Sequence, residues 1–209
     1  MSLKIGCIVE GQGDVAALPV LIRRIAAECY PEMAIHIPRP IRVNRNQVVL
    51  PDQLEQEVEL AARRIDGNGA IFIILDSDDD CPAQLGPELL YRASQVHDNL
   101  PIAVVLAKRE LESWFLAAAE SLRGKRGLKT DINSPDNPEI IRGAKEWLRR
   151  RMQTGKTYRE TTDQPALAAQ FDLQQARQAD SFDKCYREIV RLLEELQTVN
   201  DTTSNTISN

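Results

Sequence analysis

The sequence has few residues that could build a zinc site or a disulfide framework. Its four cysteines are scattered, with no Cys-x-x-Cys pair, so we expect reduced thiols rather than cross-links. The two histidines, His36 and His97, lie at no ligand spacing from a cysteine. A structural zinc site is therefore not expected. The cysteines are Cys7, Cys29, Cys81 and Cys185.

Long hydrophobic runs are also missing. The first apolar run, IGCIV, is too short for the core of a secretory signal, and no later run approaches the length of a spanning helix. We therefore expect a cytoplasmic protein with no membrane partner. A net charge of −5 argues against coating nucleic acid by bulk attraction. It leaves room for a nucleic-acid enzyme, because acidic metal ligands can coexist with a basic patch.

Three apolar runs predict buried parallel strands, and a further stretch predicts an irregular one. The runs are 3–9, 70–75 and 101–107. The further stretch, at 34–43, contains two prolines, which favour an edge strand. Helical patterns lie between the strands, after Asp14, at 52–66 and at 86–98. This alternation predicts an α/β, Rossmann-like fold, in which a short parallel sheet is flanked by helices.

The composition changes after about Gly124. Residues 124–138 are rich in Gly, Lys, Asn, Asp and Pro, which is typical of a loop, and later patterns predict helices at 139–152, 164–178 and 182–197. We expect an α/β domain at 1–123, a helical C-terminal extension at 124–197 and a disordered polar tail at 198–209.

Acidic side chains follow three of the predicted strands. Glu10 ends the first, Asp76 and Asp78 follow the run AIFIIL, and Glu112 comes after the last. Asp14 lies one helical turn beyond Glu10. Because the carboxyl ends of parallel strands meet at one edge, we expect these carboxylates to cluster there. Such a cluster repels itself unless cations neutralise it, and hard oxygen ligands favour Mg²⁺ or Mn²⁺.

The spacing of the acids refines this prediction. In Asp76-Ser77-Asp78 the two carboxylates would point the same way on an extended segment and could share an ion. Glu110 and Glu112 would diverge if a helix has begun there, so we favour Glu112. Each acid taken alone has a plainer interpretation, as a helix cap or a solvated loop residue. The coincidence of three strand ends favours the metal site.

The chain resembles an uncharacterised bacterial TOPRIM-like family, a domain of unknown function related to the TOPRIM domain of overcoming-lysogenization-defect nucleases. The motifs that carry the resemblance are VEGQGDVAALPVLIRRI, LDSDDDC and KRELESWFLA, with the later stretch KTYRETTDQPALAAQFDLQQARQADSF. Glu-Gly after the first strand and the aspartate run after a later one are also similar to topoisomerases and primases. The resemblance spans nearly the whole chain.

The resemblance implies metal-dependent nuclease or related phosphodiester chemistry with Mg²⁺ or Mn²⁺. Glu10 would be a general acid or base, or a metal ligand. Asp76 and Asp78 would hold one ion, with Asp14 and Glu112 completing a second position. It also implies an ATPase partner encoded nearby, in a bacterial defence system, and a nucleic-acid substrate. A homodimer is a further expectation.

Two groups of basic residues could contact such a substrate. Lys108 and Arg109 lie beside the acids and are placed to touch a scissile phosphate. A basic, partly aromatic cluster in the C-terminal third could bind a phosphate backbone, although cations at a helix end that complement the helix dipole have the same pattern. The cluster is Arg149, Arg150, Arg151, Lys156, Tyr158 and Arg159. Trp114 and Phe115 are expected in the core.

Three other functions fit parts of the sequence. GQGDVA matches a dinucleotide-binding loop, but the second extended stretch lacks the acid that would hold the ribose. LDSDDD resembles the nucleophile loop of haloacid-dehalogenase-type phosphatases, which carry it on their first strand. The third alternative is a non-catalytic subunit that binds metal or nucleotide and regulates a partner. The acids alone do not separate it from a nuclease.

Overall fold

A computed structural model describes the backbone of residues 3–207 and the side chains of residues 3–198. Its centre is a sheet of five parallel strands, which confirms the predicted α/β class. The central strand β1 pairs with β2 and β3 on one side and with β4 on the other, and β5 follows β4. The strands are β1 (Leu3–Val9), β2 (Ile35–His36), β3 (Ile41–Arg42), β4 (Ala70–Asp76) and β5 (Ile102–Ala107).

The irregular strand predicted at 34–43 is divided into the two short strands β2 and β3. β2 pairs with the start of β1 and β3 with its end, with Leu3 opposite Ile35 and Ile8 opposite Ile41. Pro38 and Pro40 lie between them. Because proline has no N–H to donate to a neighbouring strand, pairing is interrupted there.

Helices cover both faces of the sheet. α3 and α4 lie on one face, over Ile71, Ile73 and Leu75 of β4. α1 and α9 lie on the other, over Phe72 and Ile74. The helices are α1 (Asp14–Cys29), α2 (Arg45–Val48), α3 (Gln53–Arg64), α4 (Pro82–Ser94), α5 (Ser113–Ala117), α6 (Ala144–Arg150), α7 (Glu160–Ala168), α8 (Leu173–Ala176) and α9 (Asp180–Ile207).

The C-terminal region packs against the α1 face of the sheet and shares its core. Trp114 is fully buried and meets Phe182 edge to face, with ring centroids 5.2 Å apart. Phe171 lies against both Phe182 and Phe115 in the same way. The expected core positions of Trp114 and Phe115 are therefore confirmed. Residues of the predicted α/β domain and of the predicted extension contribute to one hydrophobic core.

Two helices predicted in the C-terminal region differ from the structure. The helix expected over 139–152 starts only at Ala144, because Gly143 has a left-handed backbone with φ of 72°. The helix expected over 164–178 is two helices, since Asp172 caps α8 by accepting the backbone N–H groups of Gln174 and Gln175. After α5, the chain continues as a short 3₁₀ helix at Ala119–Leu122.

The last helix, α9, is longer than its amphipathic pattern predicted. It continues past residue 197 to Ile207, into the polar segment 198–209 for which the composition predicts disorder. Residues 208–209, and the side chains from 199 onward, lie outside the described residues, and disorder of this tail stays a prediction. Among the described residues, no helix is both long enough and apolar enough to span a bilayer.

Candidate functional site

The carboxyl edge of the sheet brings four of the predicted acids into one group. Asp76 is the last residue of β4, and its Oδ1 accepts the backbone N–H of Leu111 at 2.9 Å. Desolvation raises the pKa of Asp76 well above its usual value, and the negative charges of Asp14 and Glu112 raise it further, with a smaller contribution from Glu10. The fold therefore brings Glu10, Asp14, Asp76 and Glu112 together at this edge of the sheet, as the sequence predicted.

Asp14 begins α1 and is 5% exposed. Its two carboxylate oxygens accept the N–H of Gly11 at 2.8 Å and the amide of Gln164 at 2.6 Å. Burial raises its pKa, and these two hydrogen bonds lower it again. Asp14 therefore joins the first loop to α7, which lies far away in the sequence.

The glycines of the EGQGD loop allow this close approach. A Cβ at Gly13 would collide with the side chain of Gln164 and lie 2.8 Å from Cγ of Glu160. The N–H of Gly13 instead donates to Oε1 of Glu160 at 3.1 Å. The loop that matches a dinucleotide-binding pattern is thus filled by side chains of α7, which gives the two glycines a packing role.

Glu112 is the most deeply buried acid of the group, with no exposed surface. Tyr158 donates its hydroxyl to Oε1 of Glu112 at 3.0 Å, and the ammonium of Lys145 lies 3.6 Å from Oε2. Burial raises the pKa of Glu112 to about 7, although the charge of Lys145 opposes the rise. Glu112 is therefore half-protonated near neutral pH.

Lys145 connects the acids of the sheet edge to the C-terminal region. Its Nζ also lies 3.8 Å from Glu160, and its backbone N–H donates to Oε2 of Glu110 at 3.1 Å. The surrounding carboxylates, led by Glu112 and then Asp76, raise the pKa of Lys145 against the opposing effect of burial. Glu110 thus positions α6, whereas Glu112 faces the acidic group.

The aspartate run after β4 does not remain extended, which corrects the premise of the spacing argument. β4 ends at Asp76, and Asp78 has a left-handed backbone with φ of 49°. The Asp78 side chain is 64% exposed and lies 3.8 Å from the guanidinium of Arg45. The two aspartates therefore do not project as neighbours on one strand, although Asp78 is close enough to raise the pKa of Glu10.

Arginines hold the rest of this run. Arg45 contacts Asp80, while Asp79 accepts hydrogen bonds from Arg109 at 2.9 Å and Arg142 at 2.7 Å. These hydrogen bonds lower the pKa of Asp79. Arg109, expected beside a scissile phosphate, is bound to an aspartate in this structure.

The sequence profile described as Domain of unknown function (DUF4276) matches residues 9–189. The chain belongs to this family. No curated protein and no solved structure matches it significantly. The DUF4276 region contains every residue of the site above, from Glu10, directly after β1, to Gln164 on α7. The α/β sheet and the helices that follow it therefore belong to one family domain.

The donor atoms of the DUF4276 site suit Mg²⁺, but no ready-made ligand set is present. Within the described part of the chain, no three His, Cys, Asp or Glu residues are grouped to hold a metal ion. The available ligands are carboxylate oxygens, and Oε2 of Glu112 is buried without a hydrogen-bond partner among these residues. Binding an ion would require Lys145, beside that oxygen, to move. Metal binding by Glu10, Asp14, Asp76, Asp78 and Glu112 stays a prediction.

The cations of the basic cluster predicted in the C-terminal third contact residues of their own surroundings, and Tyr158 is buried. Tyr158 is 2% exposed and points at Glu112, because its aromatic ring belongs to the core. Arg149 and Arg150 pair with Glu146, and Arg151 stacks on Trp147 at 3.6 Å from the ring centroid. The backbone N–H of Arg159 donates to Asp163, and Lys156 lies beside Gly127. Nucleic-acid binding by these cations stays a prediction.

Two polar residues of the site, Lys145 and Gln164, were not predicted, and Tyr158 was predicted in the basic cluster instead of at this site. All three come from the region predicted as a separate extension. A lysine within a helical pattern and a glutamine before Pro165 carry no local signal of function. Tyr158 does lie within a stretch that carries the family resemblance, and this was the available indication that the region contributes to the site.

Proposed function

We propose that this acidic site carries out Mg²⁺- or Mn²⁺-dependent phosphodiester chemistry, as a nuclease of TOPRIM type. The observation that supports this most is the grouping of buried Asp14 and Glu112 with the partly buried, desolvated Asp76 at the carboxyl edge of a parallel sheet. Such an arrangement is costly for folding, because like charges repel more strongly where water is excluded. Its retention favours a functional role for the group.

Asp76 and Glu112, with Glu10, Asp14 and Asp78 around them, are the residues that would hold the ion. A bound divalent ion would polarise a phosphoryl oxygen and make a water molecule a better nucleophile. Glu10 is half-buried and its pKa is raised by burial, so it can take or give a proton at this edge. Its Oε2 is oriented by the backbone N–H of Asp76 at 3.3 Å.

Lys108 and Arg109 would bind the phosphate that is cleaved. Lys108 follows β5, at the carboxyl edge of the sheet, and its side chain is exposed. Arg109 would need to exchange Asp79 for a phosphate oxygen, which a bidentate guanidinium can do without large movement. The ATPase partner that the resemblance implies stays a prediction, as does the homodimer.

The non-catalytic alternative is favoured by one observation, the position of Lys145. Its ammonium lies close to Glu112 and Glu160 and already neutralises part of the acidic charge. A site stabilised in this way could serve as a regulatory binding site without turnover. For nuclease activity, the ammonium of Lys145 would have to move away from Glu112 when the ion binds, or remain there and act together with the ion.

Calorimetric titration with Mg²⁺ and Mn²⁺ tests the proposal, followed by cleavage assays on DNA and RNA in each ion and in EDTA. Asp76→Asn keeps the acceptor for Leu111 but removes the charge, and should weaken ion binding at least about tenfold and abolish cleavage. Asp79→Asn is the matched control, since Asp79 lies in the same run but is held by arginines away from the group. Absence of both ion binding and cleavage in the wild type would favour the regulatory alternative.

A further inference from the structure

A cavity of about 570 Å³ lies beside β5, the strand at the end of the sheet. One wall is formed by α4, the floor by Val104 and Leu106 of β5, and the opposite wall by the beginning of α9. Most of the lining is apolar, and the volume is within the range of small-molecule sites, about 300–1,000 Å³. The cavity is therefore large enough for an organic ligand.

Gly86 gives this cavity its depth. It is a buried residue in the interior of α4, where glycine is less favourable than alanine. A Cβ built at Gly86 would meet nothing within 4 Å, so no packing contact requires the glycine. The missing side chain instead leaves the backbone of α4 open to the cavity, where a flat ring could approach it closely.

Two kinds of polar group line the cavity. Glu139 is 6% exposed, and its Oε1 accepts the N–H of Ser181 at 2.9 Å as well as the Ser181 hydroxyl. Within the described part of the chain, no group donates a hydrogen bond to its Oε2. Lys108 and Lys184 are the cations of the lining, and Lys108 directly follows β5 at the carboxyl edge of the sheet.

We propose that this cavity binds the base of a nucleotide whose phosphate lies at Lys108, at the carboxyl edge of the sheet that also carries the acidic group. The apolar walls and the open backbone at Gly86 suit a flat ring, Glu139 can accept an N–H of the base, and Lys108 can bind the phosphate. The proposal rests on the proposed function and specifies its substrate. A base inside a duplex is stacked and cannot enter, so the substrate is a free nucleotide, a single strand or a strand end.

Gly86→Leu tests the proposal by filling the cavity. Leucine favours the helix and its Cβ has room, so the variant should fold, which melting and circular dichroism verify. Gln84→Leu is the matched control, because Gln84 is an exposed residue of the same helix that does not line the cavity. The probes are AMP, GMP, CMP, UMP, a short single-stranded oligonucleotide and its duplex, titrated in EDTA so that no metal contributes.

We expect single-stranded probes to bind the wild type and Gln84→Leu equally, and Gly86→Leu about tenfold or more weakly. Binding of mononucleotides would identify a free nucleotide as ligand, and binding of the oligonucleotide alone would identify a strand. Equal binding to Gly86→Leu, or no binding to the wild type, would overturn the base pocket. Metal-dependent cleavage that is lost in Asp76→Asn would still stand in that case, so the two proposals fail separately.

Discussion

Deprotonation of Glu112 should make the metal-free protein less stable as the pH rises toward 7. Burial raises the pKa of this carboxyl from 4.5 to about 7 in the folded state, whereas the unfolded chain keeps the ordinary value. Between these two values the folded state binds more protons than the unfolded state. The free energy of unfolding therefore falls with increasing pH across this window, and is unaffected by this group below it.

The size of the effect follows from the shift. Each tenfold change in proton affinity corresponds to about 1.4 kcal/mol, so a rise from 4.5 to about 7 lowers stability by about 3 kcal/mol once Glu112 is ionised. Solvent screening reduces this energy only slightly, because the side chain of Glu112 is only 1% exposed. Such a loss is a large fraction of the usual stability of a domain, about 5–15 kcal/mol.

Glu112→Gln isolates the contribution of this one group. Glutamine has nearly the same shape, can still accept the hydroxyl of Tyr158, and has no charge to lose. Urea unfolding in EDTA, from about pH 5 to pH 8, should show the variant gaining up to about 3 kcal/mol relative to the wild type as the pH rises. The difference between the two curves reports the ionisation of Glu112 together with its charge coupling to Asp76 and Asp14. Parallel curves would refute the assigned pKa and the dominance of burial.

Three further substitutions test how the site is built. Gly13→Ala should lower the free energy of unfolding in urea by about 1–3 kcal/mol, because its Cβ would collide with α7. Gly86→Ala adds a Cβ that meets nothing, so it should be neutral or stabilising by up to about 1 kcal/mol. Equal effects of the two substitutions would contradict the packing role of Gly13. Tyr158→Phe should lower the free energy of unfolding by about 1–2 kcal/mol and raise the pKa of Glu112. The pKa change should appear as a pH-dependent loss of stability that is absent when Glu112→Gln is also present. Lys145→Met should lower the free energy of unfolding by about 2 kcal/mol at pH 8 and by less at pH 5, where Glu112 is neutral. A loss of stability that does not depend on pH would argue against an electrostatic role of Lys145.

The sheet could be predicted from the sequence because each strand carries its own signal. AIFIIL and IAVVLA are short continuous apolar runs, and both are buried on two faces in the structure. The gathering of Glu10, Asp76 and Glu112 then follows from topology alone, since parallel strands end at the same edge. This part of the site needs no knowledge of tertiary contacts.

The environment of these acids could not be predicted in the same way. The ammonium of Lys145 and the hydroxyl of Tyr158 reach Glu112 from positions 33 and 46 residues later in the chain, through packing that no local pattern encodes. The left-handed turn at Asp78 was missed for a related reason. The N–H of Asp80 donates to the carbonyl of Ser77 at 2.9 Å and closes this turn, and the side chains of Arg45 and Arg109, which are distant in the sequence, contact Asp78.

The C-terminal helices are therefore part of the site, and this limits how the protein can be divided. Gln164 holds Asp14, Glu160 holds the loop at Gly13, and Tyr158 and Lys145 hold Glu112. A truncated chain ending near residue 123 would leave Asp14 and Glu112 without these partners and expose the core around Trp114. Since buried acids without partners are strongly destabilising, the α/β region alone should be unstable at neutral pH. The proposed function at the sheet edge would therefore require the helices that the sequence predicts as a separate extension.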